Sequence, residues 1–119
     1  MENNKNAEFK FKEDNQEKII NVTLIGRFLN EDGELFIAEF VKLIAERNMT
    51  EYTLAFDCKD LQSIVMEGAI TLADCFKLYA TLKFKLVTAT AYSYQSDLGV
   101  WFNNLANVQD NLVFEMKYI

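Results

Sequence analysis

Residues 52–82 read YTLAFDCKDLQSIVMEGAITLADCFKLYATL, and the spacing of their apolar positions changes partway along. YTLAFDC is a short apolar run that closes on an aspartate, the pattern of a short strand. From Glu67 onward Ala69, Leu72, Ala73, Phe76, Tyr79 and Ala80 recur at intervals of three and four, so that one side of a helix is apolar. A strand followed at once by an amphipathic helix is the repeating unit of an α/β fold.

The same alternation extends in both directions. Upstream, EFKFK alternates apolar and charged residues, EDNQEK is a polar turn and IINVTLIGRF is a β-branched run, so residues 8–28 predict a two-stranded hairpin. Asn30 or Asp32 is a candidate N-cap for a helix carrying Leu35, Phe36, Phe40, Leu43, Ile44 and Arg47 at helical spacing. Downstream, KLVTATAY is a further strand. Ser96 is a candidate cap for a third helix with Leu98, Trp101, Phe102, Leu105 and Val108 on its apolar stripe, and NLVFEMKYI closes as a strand.

The order β-β-α-β-α-β-α-β predicts a mixed, mostly parallel sheet of four to five strands, an N-terminal antiparallel hairpin and three main helices. Its crossovers should be right-handed. With 119 residues, half of them apolar, the chain suits one core. The expected organisation is a flexible segment over residues 1–7 and a single domain over 8–119, with no proline and only four glycines to mark a boundary.

A net charge of −6 argues against nucleic acid, which requires clustered Lys and Arg. The polar start MENNKNAEFKFK lacks the apolar centre of a signal peptide, and no run approaches the roughly 20 apolar residues of a membrane span. A cytoplasmic location without membrane insertion is the expectation. Cys58 and Cys75 are seventeen positions apart in a chain without histidine, so they read as buried free thiols rather than metal ligands.

TLIGRF, LAFDCKDLQSI and EGAITL together resemble landmarks of the STAS domain family, the fold of anti-sigma-factor antagonists, over nearly the whole chain. Gly26, Arg27 and Phe28 match a strand end of that family. Asp57 resembles its strand-end aspartate, Leu61 and Ile64 its apolar loop positions, and Gly68 the glycine that opens the following helix. The chain departs from the pattern where the family carries an aspartate and two hydroxyl residues. Val65, Met66 and Glu67 stand there, and none accepts a phosphate. The helix that commonly finishes the family's fold is expected to be short or missing after FEMKYI.

The resemblance implies a non-enzymatic regulatory module that binds a protein, either a serine-kinase-like ATPase acting as an anti-sigma factor or a transporter subunit. In antagonists of the family, phosphorylation at the helix start controls docking through added negative charge. Glu67 offers one fixed charge there, either imitating part of the phosphate or selecting a partner that needs no phosphorylation. It also complements the positive end of a helix. The expected partner-binding residues are Met66, Glu67, Gly68 and Thr71, supported by Asp57. Ser63 and Thr71 are the displaced phosphoacceptor candidates, and both also suit local backbone hydrogen bonding.

An enzyme would need a nucleophile with its base, a metal site or a phosphate loop. Cys58 has only Lys59 and Asp60 beside it, and no glycine-rich nucleotide loop is present. Asp57 and Asp60 flank the strand end, where a carboxylate pair is an alternative to Asp57 bracing the loop. Trp101 and Phe102 read as core with one ring at the edge, or as a ligand-stacking pair. No cofactor is implied, the oligomeric state is open, and a domain binding a small molecule or lipid is the reading from another class.

Overall fold

A computed structural model describes residues 6–64 and 66–119, with side chains throughout that range except at 66–71. The chain runs β1 (Glu8–Asp14), β2 (Ile19–Phe28), α1 (Asn30–Ile44), β3 (Thr53–Ile64), α2 (Met66–Leu82), β4 (Leu86–Ala91), a 3-10 turn (Ser93–Gln95), α3 (Ser96–Asn107) and β5 (Phe114–Tyr118). This is the expected α/β order. The five strands lie in the order β1-β2-β3-β4-β5, antiparallel between β1 and β2 and parallel elsewhere.

Because each new parallel strand joins the sheet on the same side, crossovers of one hand put every helix on one face. Strand alternation reflects that asymmetry. Ile20, Val22 and Leu24 of β2, Leu54, Phe56 and Cys58 of β3, and Val87, Ala89 and Ala91 of β4 are buried beneath the helices. Asn21, Asp57 and Lys59 belong to the uncovered face.

Aromatic rings bind the two layers. Phe9 of β1 meets Phe36 of α1 edge-on at 5.4 Å, Phe36 stacks on Phe40 at 5.8 Å, and Phe40 meets Tyr79 of α2 edge-on at 5.5 Å. Tyr79 contacts Phe76, which contacts both Phe102 of α3 and Phe114 of β5 at 5.7 and 5.6 Å. Ring contacts therefore run from one edge strand to the other.

Several element ends differ from expectation. Asn30 is the first helical residue of α1 rather than its cap, and Asp32 reaches back to accept the Leu29 backbone N–H at 2.8 Å. That helix stops at Ile44, and Leu35 is exposed. Ser96 begins α3 and Val108 lies beyond it, exposed. The largest difference concerns β3, which does not end on Asp57 but continues seven residues further along β2 to Ile64. Gly26 accommodates this extension at a register shift, with φ of 84°, a conformation that a Cβ would strain. Asn6 bridges to Arg27 and Ala7 packs against the core, so the sequence joins the sheet before residue 8.

At the opposite end of the sheet, Arg47 lies beyond α1 and binds Glu13 of β1 through both guanidinium nitrogens, one at 2.8 Å. The guanidinium also lies over the Tyr52 ring, 5.4 Å from its centroid. Hydrogen bonding to Arg47 holds the Glu13 carboxyl below its ordinary value of 4.5.

Replacing Phe40, which is fully buried against the rings of Phe11, Phe36, Tyr79 and Phe84, by Ala should cost about 3–5 kcal/mol in urea denaturation; a loss under about 1 kcal/mol contradicts its central position. Glu13→Gln should cost about 0.5–1 kcal/mol at pH 7. Because the folded carboxyl is the stronger acid, its stabilisation is complete above the ordinary value and disappears as pH falls through the lowered one. The difference between wild type and variant should therefore vanish in denaturation curves recorded at strongly acid pH.

Candidate functional site

The extension of β3 creates an open cleft at one end of the sheet. Its pairing with β4 stops at Asp57↔Thr90, whereas its pairing with β2 continues through Ile25↔Asp60, Gly26↔Leu61, Arg27↔Ser63 and Phe28↔Ile64. On the β4 side, the last stretch of β3 faces the 3-10 turn and the start of α3. Gln95 fills the join. Its amide nitrogen donates to the carbonyl oxygens of Cys58 and Leu61 at 2.9 and 3.2 Å, and its amide oxygen accepts the Tyr92 N–H at 2.6 Å.

Beyond Gln95 an open cleft of about 440 Å³ separates the two walls. Lys59, Gln62, Ser63 and Ile64 line it from β3, and Tyr94, Asp97, Leu98 and Trp101 from the turn and α3. Tyr94 is 80% exposed and is held flat by stacking on Tyr92, with centroids 5.3 Å apart. Such amphipathic rings supply much of the binding energy at protein interfaces. The cleft lies at the carboxyl ends of parallel strands, the usual location of binding sites in open α/β sheets.

The residues expected to form the site separate geometrically. Ser63 is exposed and lines the cleft. Met66, Glu67 and Gly68 form the first turn of α2 and Thr71 follows in the second; their side chains lie outside the described residues. Asp57 stands apart from the cleft, on the uncovered sheet face with Asn21, Thr23 and Thr90. Its carboxylate accepts the Lys59 N–H at 3.1 Å and lies 3.9 Å from the Lys59 ammonium, a local bond made within β3 rather than in a loop. Trp101 is the edge ring of its pair: Phe102 is buried, while Trp101 is half-buried at the cleft. Sequence reasoning missed Tyr94 and Gln95, since neither belongs to an apolar period and the function of Gln95 depends on a strand longer than its apolar run.

A second space, of about 50 Å³, lies between the sheet and the helices and shares Leu61 and Ile64 with the cleft wall. Phe28, Phe36, Phe56 and Phe76 line it along with Cys75 and Tyr79. Such an apolar void stays dry. Both cysteines are free and buried, and burial pushes each thiol up to about 12. The nucleophilic thiolate of Cys58 is therefore scarce at neutral pH. Among the described residues no group of three or more His, Cys, Asp or Glu side chains is arranged to hold a metal. No described helix is long and apolar enough to cross a membrane.

Comparison with solved structures establishes the fold class. The chain matches the crystal structure of an uncharacterized protein of the DUF3478 family from Shewanella loihica PV-4, described as having a SpoIIAA-like fold. The TM-score is 0.72 at 16% sequence identity, covering 98% of this chain and 90% of the other. This chain therefore has the SpoIIAA-like, or STAS, fold, as its landmarks suggested. No family model matches the sequence, and no curated protein matches it either.

Trp101→Ala should cost about 1–2 kcal/mol in chemical denaturation, less than the 3–5 kcal/mol of a fully enclosed aromatic, because part of the ring already meets water. A loss at the upper figure would place the ring in the core instead.

Proposed function

We propose that this chain is a non-enzymatic protein-binding module of the cytoplasm, recognising its partner at the rim formed by the start of α2 and the neighbouring cleft. The observation that carries the reading is the pairing of an open cleft with two accessible aromatics, Tyr94 and Trp101, beside the β3–α2 junction. A fold typically without catalytic activity and thiols raised by burial both favour binding over chemistry.

Glu67, at the first turn of α2, fixes a negative charge where antagonists of this fold would be phosphorylated, so recognition is independent of phosphorylation. Met66 contributes an apolar contact and Gly68 a close backbone approach. An ATPase of the serine-kinase type or a transporter subunit suits such a surface. The apolar space beneath the helices supports a second reading, a site for a small apolar ligand, although about 50 Å³ is far below the roughly 300–1,000 Å³ of ordinary ligand pockets.

The test compares the wild-type chain, Glu67→Arg and Tyr94→Ala as baits in lysate of the source cell, with captured proteins identified by mass spectrometry and then titrated in pure form. A partner bound by the wild type and weakened by both substitutions is the expected result. Equal capture by all three, or none by any, contradicts the reading.

A further inference from the structure

We propose that the cleft receives an extended segment of the partner protein, added as a strand on the open side of the last stretch of β3. This inference rests on the interaction reading above and specifies how the partner is held.

The backbone pairing carries the argument. From Leu61 to Ile64, β3 is hydrogen-bonded to β2 on one side and has no strand on the other among the described residues. A strand edge of this kind presents backbone N–H and C=O groups to an incoming chain. Gln95 shows the direction in which they point: its side-chain amide donates to the Leu61 carbonyl from the cleft, the place a neighbouring strand's N–H would occupy. At this position the protein uses a side chain in place of a strand.

The outer edges of the sheet differ in character. The β1 edge carries Glu8, Lys10 and Lys12, and β5 carries Glu115 and Lys117, charges that discourage added strands. Gln62, Ser63 and Ile64 carry none. The facing wall supplies side-chain selectivity: Leu98 and Trp101 offer an apolar surface to one residue of the incoming segment. Asp97 makes no ion pair among the described residues, while the one cleft lysine, Lys59, is engaged by Asp57. In a chain of net charge −6, that arrangement suits a segment bearing a Lys or Arg opposite Asp97 and an apolar residue beside Trp101.

The test uses ten-residue random peptides displayed on phage and selected on the immobilised full chain, followed by synthesis of the enriched sequences. Enrichment of a basic residue near an apolar one is expected. Amide shifts should concentrate at Gln62–Ile64 and Tyr94–Trp101 in the labelled protein, and binding should weaken about tenfold or more on N-methylation of alternate peptide amides or on Asp97→Lys. Retained affinity after N-methylation at every position, a helical bound peptide, or a dimer of this chain dissociated by Asp97→Lys each overturns strand addition. The two readings fail separately. A purified partner that is weakened by Glu67→Arg but indifferent to Asp97→Lys overturns the added strand and leaves the α2 surface standing; absence of both peptide and partner overturns both.

Discussion

The edge-on contact between Phe40 and Tyr79 joins the two halves of this molecule. On one side of it, α1 rests on the hairpin through Phe36 and the rings of β1. On the other, α2 passes the contact to Phe76, and so to α3 and β5. A sheet with helices on one face alone has a single core layer, and large rings fill that layer with few residues. The other face, which no described helix covers, is mostly polar. The burial of Cys58, Cys75 and the Tyr79 hydroxyl, and hence the low acidity of both thiols, follows from their position within this layer.

The cleft follows from a mismatch in strand length. β3 has twelve residues and β4 has six, so β3 extends past the point at which β4 turns away toward α3. Gly26 allows β2 to follow that extension, and Gln95 secures its near end to the turn. The rigid layer thus presents a short half-paired strand beside two aromatic rings and the first turn of α2. Both walls of the cleft are anchored in the same core, through Leu61 on one side and Phe102 on the other.

Much of the architecture was legible in the sequence, because the change from strand to helical period recurs three times and each instance buries one apolar side. Element ends were less legible. The family resemblance puts Leu61 and Ile64 in a loop after the strand-end aspartate, yet β3 runs on to Ile64 because β2 pairs with Asp60, Leu61, Ser63 and Ile64. Asp32 caps α1 from inside the helix, which composition does not distinguish from a cap at the first position. The candidate site divided in the same way. Ser63 was recognisable beside the junction, Asp57 belongs to the other face, and Gln95 became meaningful only once its turn met β3, whose Cys58 and Leu61 lie 37 and 34 positions away.

The most direct measurement is hydrogen–deuterium exchange of the full chain with and without its captured partner. Slowed exchange concentrated at Gln62–Ile64, the first turn of α2 and Tyr94–Trp101 is the expected result. Protection confined to the uncovered face, around Asn21, Asp57 and Thr90, with unchanged exchange along the end of β3, would contradict recognition at the cleft.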